Sequence, residues 1–147
     1  MSGLVTFRLG QREYATPLSD VREVVRLEGL TDLPGMVPPL AGVLDVRGSA
    51  LPVLDLRRGA AGDRGDVLVL QRGGADGRGG LLDGGTVGVA VDQVRAVLPE
   101  GALPLAGAPT ELGVLPGYVV EVLRGASGVV FLIDLVRMVD SARTCAG

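Results

Sequence analysis

The stretch from Gly42 to Arg57, GVLDVRGSALPVLDLR, constrains the fold more than any other part of the chain. Two apolar runs, Val43-Leu44 with Val46 and then Leu51 with Val53, Leu54 and Leu56, flank Arg47-Gly48-Ser49. β-Branched and aliphatic residues bounded by glycine predict strand, turn, strand. Arg47 places a fixed positive charge at the end of a strand otherwise suited to burial. Its guanidinium must meet a carboxylate or reach water, because an unpaired buried charge is very costly.

The same pattern returns, more weakly, in VVEVLRGASGVVFLIDL from Val119 to Leu135. Arg47 corresponds to Arg124 and Asp55 to Asp134, at offsets of 77 and 79 residues, which predicts a turn two residues longer in the second copy. A second pair of segments supports the first: Val21-Arg22-Glu23-Val24-Val25 matches Val94-Arg95-Ala96-Val97-Leu98. Two features recurring in one order suggest a duplicated unit, the alternative being chance likeness among valine-rich strands.

Strands are predicted at Val5 to Leu9, Arg12 to Pro17, Val24 to Leu27, both arms of each hairpin, Val67 to Gln71, Thr86 to Val91 and Val94 to Leu98. Ser19-Asp20 with Glu23 reads as the cap of one helical turn. Tyr14 reads as packing or as a hydroxyl at a strand edge. Leu135 to Ala142 suits a short C-terminal helix with Leu135, Met138 and Val139 on one face. The Gly/Pro-rich connections near 58–66, 73–85 and 99–116 punctuate the strands, and Gly73 to Gly85 is too poor in apolar surface to order itself. Nine or ten short strands with little helix favour an all-β chain of small barrels or a sandwich, and duplication favours two small barrels side by side.

The chain has 147 residues, 47% hydrophobic, which suits one domain built of two small halves. No apolar run reaches the roughly 20 residues needed to span a bilayer, and no signal peptide is visible, so the expectation is a cytoplasmic protein without direct membrane insertion. All 14 basic residues are arginine, the net charge is −3 and aromatics are 3%, which argues against nucleic acid.

Histidine is absent, so His-based triads and most zinc sites are excluded. The single cysteine, Cys145, cannot form an internal disulfide. No phosphate-binding loop is present. Asp45, Asp55, Asp92 and Asp134 fall at strand ends, where aspartate holds turns more often than it catalyses. No catalytic residue, metal or cofactor is expected, and the sequence points to a binding module.

The motifs Phe7-Arg8-Leu9-Gly10 with Glu13-Tyr14, Val21-Arg22-Glu23-Val24, Gly42 to Gly48, Leu51 to Arg57 and Val87 to Val94 together resemble the CheW-like family, from about Leu4 to Val139. The resemblance implies one CheW-like domain over residues 1–147, made of two pseudo-repeated, five-stranded, SH3-like β-barrels with short helical pieces. It implies a stand-alone, non-catalytic adaptor coupling the cytoplasmic tip of a methyl-accepting chemoreceptor to the regulatory domain of a CheA-type histidine kinase, at membrane-associated receptor arrays. The family's receptor-binding groove lies between the barrels. The matching positions are Val21, Glu23, Gly42, Arg47, Gly48, Val94 and Val97, with Arg47 and Glu23 bridging each other. For the three valines plain core packing is an equal reading, and for the glycines ordinary turn chemistry is.

By the same resemblance, Leu103 and Leu105 are exposed apolar contacts for the kinase. Three departures stand out: Asp45 replaces the family's usual asparagine, Gly73 to Gly85 is a long insertion, and Pro99 to Pro109 is compressed. The alternative is a small barrel that binds a ligand or regulates an enzyme without any receptor. The cost of losing Arg47 depends on burial: a buried pair makes it a stability residue, an exposed pair makes it a binding residue.

Overall fold

The computed structural model describes residues 3–31, 34, 40–57, 65–71, 86–106, 118–126 and 128–139; the proposed mobile insertion at 73–85 and Cys145 lie outside them. Ten strands form: β1 (Gly3–Leu9), β2 (Arg12–Pro17), β3 (Val21–Arg26), β4 (Leu40–Val46), β5 (Ser49–Asp55), β6 (Asp66–Leu70), β7 (Val87–Val91), β8 (Gln93–Pro99), β9 (Val119–Gly125) and β10 (Gly128–Ile133). They make two five-stranded sheets, ordered β8-β1-β2-β10-β9 and β3-β6-β7-β5-β4.

Adding five to each strand number, cyclically, turns the first order into the second. The duplication is therefore real in topology, and its halves are exchanged: β1 and β2 complete a sheet with β8, β9 and β10. One sheet is thus a continuous run of chain from β3 to β7, inserted between β2 and β8 of the other. Among the described residues consecutive strands change sheet across the 3-10 turn Leu18–Asp20 and across Asp92. The Gly/Pro-rich connections join strands of the same sheet.

Each sheet closes in the same way. Thr31, beyond β3, exchanges two backbone hydrogen bonds of 2.9 Å with Val43 on β4. The segment beyond β8 does the same against β9: Ala106 N–H donates to the Val122 carbonyl at 2.9 Å, and Arg124 N–H to the Pro104 carbonyl at 2.8 Å. Closure removes the unpaired edges that an open sheet exposes.

Among the described residues three apolar clusters form the core. Leu27, Leu44, Leu51, Val53, Val67, Val69 and Ala90 fill the β3–β7 barrel. Ala15, Leu123 and Val130, with Leu4, Leu103 and Leu132 against them, fill the other. The largest cluster belongs to both: Val5, Phe7 and Leu9 from β1 meet Leu68 and Leu70 from β6 and Val87, Val89 and Val91 from β7. Side chains alternate across a strand, so β6 and β7 send one face into their own barrel and the other into the shared core. A row of rings, Phe7, Tyr14 and Phe131, lines the β1-β2-β10 wall of that core, with centroids 6.0 and 5.9 Å apart. Tyr14 is therefore a packing residue.

The predicted C-terminal helix forms over residues 135–139, with Leu135 and Val139 buried in the shared core and Met138 packed against it. Asp134 accepts the Arg137 N–H at 3.0 Å, which caps its first turn. The helical turn near Ser19 also forms, but without a side-chain cap. Glu23 is not part of a capping box there: β3 begins at Val21, three residues earlier than the pattern suggested, because pairing with β6 outweighs local capping.

Asp20, at the first crossing, is half-buried. Burial, then the nearby Asp134 carboxylate, push its carboxyl above the usual range. A raised acid weakens the folded state once ionised, so this cost is absent below the unfolded pKa and complete above the folded one. Asp20→Asn should raise the melting temperature at pH 7, with the gain vanishing below about pH 4, near the ordinary aspartate pKa. Thermal melts of both proteins at each pH check this.

Candidate functional site

The β4–β5 hairpin turns through two residues. Val46 pairs with Ser49, leaving Arg47 and Gly48 with φ of 51° and 85°. Positive φ at both central positions is the requirement of a type I′ turn, which matches the twist of the flanking strands. Glycine meets it freely; arginine meets it at a conformational cost. The Asp45 carboxylate accepts the Gly48 N–H at 2.9 Å and braces the turn. An asparagine oxygen would accept the same bond, so the change at Asp45 removes a donor amide and adds a charge.

The turn aims Arg47 across the open end of the barrel at β3. Its guanidinium donates to Glu23 Oε2 at 2.5 Å. The Glu23 side chain is 25% exposed and that of Arg47 is 68% exposed, so this is a surface ion pair. The hydrogen bond from Arg47, aided by its charge, holds the Glu23 carboxyl below the usual carboxylate range against a smaller upward push from burial. Beneath the pair lies a depression of about 200 Å³, lined among others by Arg22, Ser49, Leu51, Val69 and Thr86. Every lining residue comes from the β3–β7 barrel.

The nine residues singled out in the sequence do not form one patch. Glu23, Arg47 and Gly48 come together. Val21 is buried in the shared core. Val94 packs against that core from β8, and its N–H donates to Asp66 Oδ2 at 2.9 Å, tying the two barrels together. Gly42 lies beneath the Thr31 carbonyl, where a Cβ would collide with backbone; its role in the fold is to let the barrel close. Val97 is 60% exposed on β8, an outer strand of the other barrel. Leu105 is 66% exposed on that barrel's closing segment. Leu103 is not an exposed contact: it is half-buried against Ala15, Leu123 and Val130.

The second hairpin also departs from its expected geometry. Gly125 pairs with Gly128, leaving two residues between them. The additional residues lengthen the arms and not the turn, and Arg124 pairs within the ladder, where Arg47 sits on its turn. Its guanidinium donates to the Ala106 carbonyl at 3.1 Å and supports closure.

Two further contacts were overlooked in the sequence. Arg57 forms a two-pronged ion pair with Asp55, Nε to Oδ1 at 2.9 Å and NH2 to Oδ2 at 2.8 Å, with its side chain only 5% exposed. Burial pushes the Asp55 carboxyl up, but the Arg57 side-chain bonds, its N–H and its charge together bring it below the usual range. The Asp-x-Arg spacing at the end of β5 was the signal for it. The Asp66–Val94 bond has no local signal. Asp45, Asp55, Asp92 and Asp134 each accept a backbone N–H, from Gly48, Arg57, Gly10 and Arg137. Among the described residues no group of acidic or sulfur side chains could hold a metal, and no helix is long and apolar enough to cross a membrane.

Residues 3–143 match the CheW-like domain. The chain belongs to that family. A chemotaxis protein CheW from Treponema pallidum is 21% identical over 148 residues, covering 94% of this chain and 82% of its own. A chemotaxis protein CheW from Bacillus subtilis is 33% identical over a shorter segment of 55 residues, 37% of this chain and 35% of the relative. The chain thus aligns with about a third of that relative's length. The crystal structure of scaffolding protein TtCheW from Thermoanaerobacter tengcongensis shares the fold, with a TM-score of 0.66 at 22% identity over 91% of this chain and 84% of that one. The two SH3-like barrels of the CheW-like family are the two five-stranded sheets described above.

Gly42→Ala should cost roughly 1–3 kcal/mol, the range for overpacking a filled site, because the Thr31 backbone has no side-chain rotamer with which to yield. Urea denaturation should show a lower midpoint at an unchanged slope, the signature of lost stability without a change in exposed surface.

Proposed function

We propose that this protein is a non-catalytic adaptor that couples a chemoreceptor cytoplasmic tip to the regulatory domain of a CheA-type histidine kinase, in chemotaxis or a related chemosensory pathway. The observation that carries this reading is the Glu23–Arg47 pair at the open end of a closed barrel, in a chain of the CheW-like family. The pair holds two charges in fixed geometry at little cost to the fold, as a recognition element requires. The strand-end aspartates hold turns, which supports a scaffold more than a catalyst. The depression beside the pair is smaller than the roughly 300–1,000 Å³ typical of small-molecule sites, which favours a protein partner over a free ligand.

Arg47 is mostly exposed, so Arg47→Ala should leave the melting temperature nearly unchanged. It should weaken receptor-tip binding by about tenfold or more, because truncating a charge that becomes buried at an interface strands its partner. Arg47→Lys should recover only part, since an ammonium lacks the planar fork. Kinase binding should change less. Titrating each variant against a receptor tip and a kinase regulatory domain tests the assignment, and unchanged receptor affinity for a folded Arg47→Ala protein would sink it.

The kinase contact is assigned to the closing segment of the other barrel, now with Leu105 as its exposed member and Leu103 as the side chain anchoring that segment. Leu105→Glu should abolish kinase binding, leave receptor binding intact and keep the fold. Leu103→Glu is expected to lower the melting temperature as well, because it introduces a charge among Ala15, Leu123 and Val130. Persistence of kinase binding in Leu105→Glu would place that interface elsewhere.

A further inference from the structure

The end of the β1-β2-β8-β9-β10 barrel that corresponds to the Glu23–Arg47 end carries a different charge pattern. Leu51 and Val130 occupy matching positions on β5 and β10, and Arg22 and Arg95 matching positions on β3 and β8. Around Val130 lies an open pocket of about 390 Å³, lined by Arg8, Gln11, Arg12, Glu13, Arg95 and the Gly128–Val130 edge of β10. The position matching Glu23 is Ala96, so no acid meets the arginines from β8. The turn position matching Arg47 is Ala126, so no arginine reaches across from that turn; Arg124, one step back in the ladder, is turned to the Ala106 carbonyl.

Three arginines therefore line this pocket with one carboxylate, Glu13; Asp92 stands just outside it, accepting the Gly10 N–H. Arg8 is anchored by donating to the Gly10 carbonyl at 2.5 Å. Arg95 has a long contact of 3.5 Å with Gln93 Oε1, and Arg12 is exposed. Glu13 stands opposite Arg8 in the β1–β2 register. Among the described residues no ion pair links Glu13 to any of the three. The chain as a whole carries −3, so a positive excess that remains even when Asp92 is counted is contrary to its surroundings and attracts anions.

We propose that this pocket is a second docking site, for an acidic segment of a partner protein: two neighbouring carboxylates bound by Arg12 and Arg95, with an apolar side chain against Val129. This goes beyond the adaptor reading, since it lies on the other barrel and uses none of the residues assigned to receptor or kinase. Three features select a peptide over a small molecule or a lone phosphate. The lining is mostly charged, the reverse of the apolar lining of small-molecule sites. The arginines are exposed, so each ion pair alone is weak in water, and a partner must add contact area. Val129, 46% exposed at the rim, supplies such area. Each guanidinium fork, on Arg12 and on Arg95, suits one carboxylate, so the two together suit a pair of neighbouring acids.

The test uses the full chain, labelled with 15N, and a short peptide with two adjacent glutamates flanked by valine. Amide shifts should move at residues 8–13, 95 and 128–130, and binding should weaken as ionic strength rises and the Debye length shortens. The peptide with glutamines in place of glutamates should bind at least about fivefold more weakly, and Arg12→Gln/Arg95→Gln should weaken the glutamate peptide to a similar degree. Arg47→Ala should bind it unchanged, which separates this site from the proposed receptor contact. Absent shifts, equal binding of the two peptides, or full binding by the double variant would overturn the proposal. Inorganic phosphate reproducing the same shifts at the same concentration would overturn the choice of a peptide, leaving a simple anion site.

Discussion

The structure depends on a core that neither barrel owns. Val5, Phe7 and Leu9 on one side and Leu68, Leu70, Val87, Val89 and Val91 on the other are all buried in it. Fully burying an aliphatic or phenyl side chain contributes roughly 1.5–3 kcal/mol each, and here that contribution is made between barrels as well as within them. The individual barrel interiors are smaller, and the one containing Ala15, Leu123 and Val130 is sparse. Separating the barrels would expose the largest apolar surface in the molecule, so they form one stability unit. Asp66 and Val94 add a polar tie across the same seam.

Against that rigid body the charged groups sort by position. Asp55 and Arg57 are enclosed and hold one another, with a two-pronged geometry that repays their desolvation. Glu23 and Arg47 lie on the surface and are worth little to the fold. Conformational strain at Arg47, whose φ is positive, puts a long cation on a turn where glycine or asparagine would be easier. The fold neither needs that arginine nor favours it there, so the turn's value lies in what it presents.

The strands were legible because their signals are local: alternating valines, glycine at the turns, aspartate at the ends. The pairing of Arg47 with Glu23 was legible only through likeness to a family, since nothing local links residues 24 apart. The exchange of halves was not legible, because periodicity says that a strand forms but not which edge it joins. β3 began early because ladder pairing overrode a plausible capping box at Ser19. Leu103 looked exposed in a proline-rich connection, yet closure of the barrel turns it inward. The second turn was misread as longer because residue counting cannot tell a longer loop from longer arms. Asp55 and Arg57 were both visible, and their i, i+2 spacing at a strand end was the clue overlooked.

The insertion of one barrel within the other imposes an order of assembly. β3 to β7 are consecutive, so their strands can pair as soon as β7 leaves the ribosome, while the outer face of β6 and β7 still awaits the shared core. β1 and β2 emerge first and yet must wait: Thr6 finds Ala96 only ninety residues later. Closing so long a loop is entropically slow in an unfolded chain. The inserted barrel shortens it by holding β2 and β8 close at its two crossings. The surfaces around Arg12, Arg95 and Leu105 are therefore the last to appear, and only a chain synthesised through β10 can present them. A chain truncated before β10 lacks Ile133, Leu135 and Val139 of the shared core, so neither end is held on a stable body until synthesis has passed β10.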